Sequence, residues 1–205
     1  MGLVIVVAGE LRSHWQEAIA VVSGVVYVLL ILWRNRWGFV AGALSSSIYV
    51  VLAARARLPM QSILQSYYVV MSVYGWYSWK RNAEQEEGHI HHWPLRRHLP
   101  VALVVLAATL LSARVLAAET RAAWPLLDSL ATWVSFVATW LVVRSVLENW
   151  LYWIFADTIM VGLFIQQRLY FTAALFVVYI VVSVCGLRSW RTRYRRQLSG
   201  HESVA

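Results

Sequence analysis

Apolar residues run along this chain in long blocks, interrupted at short intervals by clusters of charged and polar ones. A helix needs roughly 20 mostly apolar residues to cross a hydrocarbon core of about 30 Å. The pattern predicts seven such helices, over 17–33, 37–54, 58–79, 97–114, 125–144, 148–167 and 169–190. Connections are a few residues long except for 80–96 and, to a lesser degree, 115–124, which leaves no room for an extramembrane catalytic domain. Residues 1–15 read as a short tail or interfacial stub, because Met1 to Ala8 lack the basic start and small-residue cleavage site of a signal peptide.

The blocks also repeat. Sliding residues 17–81 onto 128–192, an offset of 111, aligns Val26 with Val137, Ile48 with Ile159, Leu52 with Leu163, Arg57 with Arg168 and Leu58 with Leu169. The same ungapped register aligns Leu64 with Leu175, Tyr68 with Tyr179, Ser72 with Ser183, Val73 with Val184, Gly75 with Gly186, Ser78 with Ser189 and Trp79 with Trp190. We read this as an internal duplication of a three-helix unit. Three helices reverse the direction of the chain, and a linking helix at 97–114 reverses it again, so the two repeats lie parallel about an axis along the membrane normal. Transporters with parallel repeats place their solute site at the repeat interface near the midplane.

Composition agrees with the membrane reading. The 205 residues are 60% hydrophobic and only 14% charged, against roughly 45–50% and about 25% in soluble domains. The net charge of +8 comes from basic residues standing singly or in pairs beside apolar runs, as in the loops of membrane proteins and unlike a nucleic-acid surface. Arg12, Arg55, Arg57, Arg114, Arg121 and Arg168 fall on one side. The other side holds twice as many: Arg34, Arg36, Lys80, Arg81, Arg96, Arg97, Arg144, Arg188, Arg191, Arg193, Arg195 and Arg196. That excess predicts a cytoplasmic C-terminus and an outside N-terminus. One cysteine, Cys185, excludes an intrachain disulfide, and its apolar surroundings suggest a small core residue.

Chemistry concentrates in the sixth and third helices. Asp157 stands nine residues after Glu148, about 13 Å into the bilayer at 1.5 Å per residue. An ionisable group at that depth is costly and by default faces a polar cavity; the competing reading is a structural hydrogen bond or an inert protonated acid. Trp150, Trp153 and Asp157 follow at i, i+3 and i+7, so one face presents two indoles and then a carboxylate. Indoles attract flat cations, and a carboxylate supplies countercharge. Trp150 fits an aromatic belt at the interface equally well.

In the third helix Gln61, Gln65, Tyr68, Ser72, Gly75 and Trp79 share a face, repeated in the seventh by Thr172, Phe176, Tyr179, Ser183, Gly186 and Trp190. The glycines and serines suit helix packing, and Gln65 and Tyr68 suit a solute pathway. The repeat register sets Ser46 opposite Asp157 and Gly42 opposite Trp153, an asymmetry expected where two halves hold two ends of an asymmetric solute. His89, His91 and His92 with Glu86 and Glu87 lack a fixed helical spacing for a metal, and no Ser-His-Asp or Cys-His set, phosphate loop or zinc-binding helix can be assembled. No metal and no cofactor are expected.

Taken together, Gln65-x-x-Tyr68, Tyr74-Gly75-Trp76-Tyr77-x-Trp79, Glu148-Asn149-Trp150-Leu151-x-Trp153 with Asp157, Gly162-Leu163, Leu169-Tyr170 and Gly186-x-x-x-Trp190-Arg191 resemble the PnuC family of vitamin transporters over residues 17–193. The resemblance implies an all-α membrane fold of two three-helix repeats around a linking helix, the 3+1+3 arrangement similar to SWEET sugar transporters. It implies facilitated diffusion of nicotinamide riboside across the inner membrane with alternating access, and trapping by a cytoplasmic kinase. Thiamine is the alternative solute and a homotrimer the implied assembly. The expected solute residues are Trp150, Trp153, Asp157, Gln65, Tyr68 and Ser46. A membrane enzyme would need partner acids, histidines or a metal site that the helices lack, and a scaffold or sensor would bind solute without moving it.

Overall fold

The computed structural model describes residues 2–55, 59–84, 89–119, 124–166, 168 and 170–202. They form seven helices, α1 (Gly2–Leu32), α2 (Trp37–Arg55), α3 (Pro59–Glu84), α4 (Leu95–Glu119), α5 (Pro125–Val143), α6 (Asn149–Gln166) and α7 (Tyr170–Glu202). Each predicted span corresponds to one helix. Prolines punctuate them: Pro59 and Pro125 open α3 and α5, and Pro94 directly precedes α4, where a missing N–H and a fixed φ suit a helix start. Pro100 lies inside α4 and removes one backbone bond there.

Three expectations need correction. Residues 2–15 are not a stub but the first turns of α1, since no proline interrupts the chain before Pro59. At the other end, α7 runs to Glu202, well past the predicted boundary at 190, because Arg191 to Leu198 is a run of good helix formers without proline or glycine. Cys185 is exposed; in a lipid-facing helix an apolar run does not identify the inner face.

Four described helices are long and apolar enough to cross a membrane by length and composition alone, Trp37–Arg55, Leu95–Ala118, Pro125–Val143 and Ala173–Ser199, with Ala18–Leu32 a shorter apolar helix. The remaining two, α3 and α6, are those that carry Gln65 and Tyr68, and Trp153 and Asp157. Their polar residues lower the hydropathy that lipid alone would select.

The chain divides into two compact units, Met1–Glu84 and Gln85–Ala205. In unit 1, α2 packs on both α1 and α3; in unit 2, α4 packs on α5, α5 on α6 and α6 on α7. The turn from α1 to α2 is a Schellman motif: Arg34 N–H donates to Ile31 O (2.9 Å) and Asn35 N–H to Leu30 O (2.8 Å). The turn from α5 to α6 repeats it 111 residues later, with Ser145 N–H to Val142 O (2.9 Å) and Val146 N–H to Leu141 O (2.9 Å). Arg34 and Ser145 hold the left-handed position, at φ 62° and 55°, where glycine is usual.

The same correspondence extends to the cores. In unit 1 Phe39 packs on Gly75 and meets Trp79 edge-on, ring centroids 4.9 Å apart at 87°. In unit 2 Trp150 packs on Gly186 and meets Trp190 edge-on at 5.6 Å and 89°. A methyl group on Gly186 would lie 2.6 Å from the Trp150 ring, and one on Gly75 would overlap Phe39 still more closely.

Candidate functional site

Trp150, Trp153 and Asp157 all lie on α6, the helix that packs on both α5 and α7. Trp150, at the start of α6, is only 2% exposed and gives its ring to Gly186 and Trp190 on α7. The structure therefore uses it as a packing anchor, and its buried Nε1 has no hydrogen-bond partner. One turn on, Trp153 is half-buried. Asp157, a further turn along the same helix, is 5% exposed, and none of the hydrogen bonds or ion pairs among the described residues engages its carboxylate. A carboxylate removed from water without a partner is far costlier than a bonded one. That places an unanswered demand for a positive or donating group beside an indole.

Ser46, Gln65 and Tyr68 belong to unit 1. Ser46 on α2 is buried, and its neighbour Ser45 ties α2 to α1 by donating to Ala20 O at 2.7 Å. Gln65 and Tyr68 on α3 are half-buried, Tyr68 with its ring 6.1 Å from that of Tyr67. The small residues of the α3 and α7 stripes do pack helices together. Gly75 and Gly186 receive the aromatic rings described above, and Ser72 and Ser183 are buried. On α2, a Cβ at Gly42 would meet the Tyr27 ring at 2.8 Å and Ser72 Oγ at 3.2 Å.

Sequence reasoning missed the polar brace that holds the start of α6. Glu148 accepts a hydrogen bond from Trp93 N–H (3.1 Å) and pairs with His92 Nδ1. His91 is bonded through its backbone on both sides of the α5–α6 turn, donating to Ser145 O (2.9 Å) and accepting from Leu147 N–H (2.8 Å). Gln197, on the extension of α7, accepts from Ile90 N–H (3.2 Å) and bonds His89 (2.9 Å). His98 on α4 bonds the Tyr152 hydroxyl at 2.9 Å. These contacts join residues 54 to 108 positions apart, so no local spacing could have announced them.

The same brace answers the histidine cluster considered above for a metal. Glu86 and Glu87 lie outside the described residues, and His92 and His89 are engaged by Glu148 and Gln197. Among the described residues no group of three His, Cys, Asp or Glu side chains could hold a metal ion.

Four described helices long and apolar enough to cross a membrane, with α3 and α6 carrying polar side chains beside them, mark a multi-pass membrane protein, and its relatives make it a transporter. Residues 14–192 match the family model described as nicotinamide mononucleotide transporter, and the chain belongs to that family. It is 26% identical over 222 residues to the nicotinamide riboside transporter PnuC of Escherichia coli, covering 94% of this chain and 93% of the relative. It is 24% identical over 188 residues to the riboflavin/roseoflavin transporter RibM of Streptomyces davaonensis, covering 89% and 87%. The crystal structure of the vitamin B3 transporter PnuC has the same fold, with a TM-score of 0.72 at 21% identity over 95% of this chain and 88% of that one.

Proposed function

We propose that this protein carries nicotinamide riboside across the inner membrane by facilitated diffusion with alternating access, its C-terminus cytoplasmic. The observation that carries the reading is Asp157, a buried carboxylate without a partner, one turn from Trp153. A flat pyridinium cation supplies what both groups lack: a π-face for the indole and a positive charge for the carboxylate. Ser46, Gln65 and Tyr68 are the residues we propose for hydrogen bonding to the amide and ribose, and Trp150 anchors the α6–α7 joint on the helix that carries Trp153. The name of the Escherichia coli relative supports the solute, and the name of RibM makes riboflavin a competitor to test beside thiamine.

The duplication supports the mechanism. Matching turns and matching aromatic joints at an offset of 111 residues support a duplicated three-helix unit, 17–81 and 128–192, with the linking helix at 97–114 between the copies in sequence. Trapping by cytoplasmic phosphorylation is what the resemblance implies, and a single deep acid in the described helices agrees with a carrier that needs no proton relay. A homotrimer remains the assembly that the resemblance implies.

The test is uptake of labelled nicotinamide riboside into proteoliposomes without any ion gradient. Equilibrating uptake that excess thiamine and riboflavin leave intact is the expected result. Competition by either overturns the solute, and uptake that appears only with an imposed proton or sodium gradient overturns facilitated diffusion.

A further inference from the structure

We propose that the end of unit 2 where α4 begins and α5 finishes is a docking site for the phosphodiester headgroup of an anionic phospholipid, held by Arg97 and Arg144. Trp93 and Trp140 meet there edge-on, ring centroids 5.4 Å apart at 68°. Arg97 stacks its guanidinium over Trp93 at 5.9 Å, and Arg144 stacks over Trp140 at 5.6 Å. Each indole face attracts one guanidinium, whose N–H groups can still bind a planar or tetrahedral oxyanion. Both arginines are exposed.

Neither arginine has an acidic partner among the described residues. Glu148, the acid nearest in sequence to Arg144, is already occupied by His92 and the Trp93 N–H. Two cations without an acidic partner among the described residues therefore stand at a helix end rich in tryptophan, which marks the membrane interface.

The surface beyond them decides between a lipid and a soluble anion. Along the Arg97 side of α4, Pro100, Val104, Ala107 and Leu111 follow at i+3, i+7, i+10 and i+14, and all four are exposed. A phospholipid whose phosphate sits on Arg97 thus has an apolar stripe below it for an acyl chain, contact that a free phosphate cannot use. Nor is the arrangement a by-product of the repeat. Trp93 and Arg97 precede the second repeat, and the register sets Trp33 opposite Arg144 and Leu29 opposite Trp140. Unit 1 has a lesser version of its own, with Arg36 over Trp76 at 5.1 Å and Trp37 edge-on to that ring at 4.8 Å.

The test uses the full-length protein in neutral detergent, with lipid occupancy read by native mass spectrometry and stability by thermal unfolding. Phosphatidylglycerol should bind and raise Tm where phosphatidylcholine and inorganic phosphate do not. Its apparent affinity should drop about fivefold for each arginine neutralised in R97Q and R144Q, with binding of labelled nicotinamide riboside unchanged. R144K keeps the charge but loses the stacked fork, and it should fall between R144Q and the parent. Equal binding of phosphatidylglycerol and phosphatidylcholine overturns the proposal, as does a shift that inorganic phosphate reproduces. Unaltered phosphatidylglycerol affinity in the variants also overturns it. If a variant fails to fold, the lipid comparison on the parent protein still decides.

Discussion

The two units are alike where their helices join and unlike a turn or two further in. At the joints, each has a Schellman turn with a non-glycine residue at the left-handed position, followed by an aromatic ring seated on a glycine and edge-on to a tryptophan. Further along, Gly42 in unit 1 receives the Tyr27 ring from α1, whereas unit 2 has Trp153 and Ala138 at the corresponding positions. Aromatic bulk has moved from the first helix of the unit to the second. Ser45 ties α2 to Ala20 by a hydrogen bond; the matching Ala156 and Ala131 offer only apolar contact. Ser46 likewise faces Asp157 in the register. The joints are scaffold common to both units, and the layer beyond them is where the units acquire separate chemistry.

Removing the charge that distinguishes the units should have the largest effect. Asp157→Asn keeps the shape, and it should weaken nicotinamide riboside about ten- to a hundredfold in a binding titration, the range of a charge-assisted interaction. A neutral analogue should lose far less; equal losses would remove the countercharge role. Next come the shared joints. Gly75→Ala and Gly186→Ala force a methyl into an aromatic ring and should each destabilise by about 1–3 kcal/mol in thermal unfolding. Gly162→Ala is the control, since a Cβ there meets nothing within 4 Å, and it should be stabilising by about 0.5–1 kcal/mol.

Trp150→Phe copies the ring that unit 1 uses at the same place. It should destabilise by less than about 1.5 kcal/mol and leave solute affinity nearly unchanged, in contrast with Trp153→Phe. A large affinity loss in a well-folded Trp150→Phe protein would show that Trp150 touches solute. The smallest effects belong to the left-handed positions. Ser145→Gly should stabilise by about 1 kcal/mol, helped by loss of a buried hydroxyl without a partner. Arg34→Gly should be nearly neutral on the same thermal assay, because it also gives up the stack of Arg34 over Trp79 at 4.5 Å.

Much of this was legible in the chain. Seven apolar blocks dictated seven helices because a bilayer leaves the backbone no other way to satisfy its own hydrogen bonds. Ungapped matches such as Gly75 with Gly186 and Trp79 with Trp190 marked the repeated joint before its geometry was known. Asp157 stood out because charge is rare at that depth. Helix ends were less legible: polar residues in α3, α4 and α7 stop favouring lipid without ceasing to favour helix, so hydropathy marked the membrane edge and not the helix end. Which way a side chain faces was beyond reach for the same reason. Lipid and protein core are both apolar, so Cys185 and Trp150 read alike as interior or interface, and only packing set the first outward and the second against Gly186. The brace of His91, His92, Glu148 and Gln197 depended wholly on the tertiary structure, because its partners meet only once the helices between them have folded back on themselves.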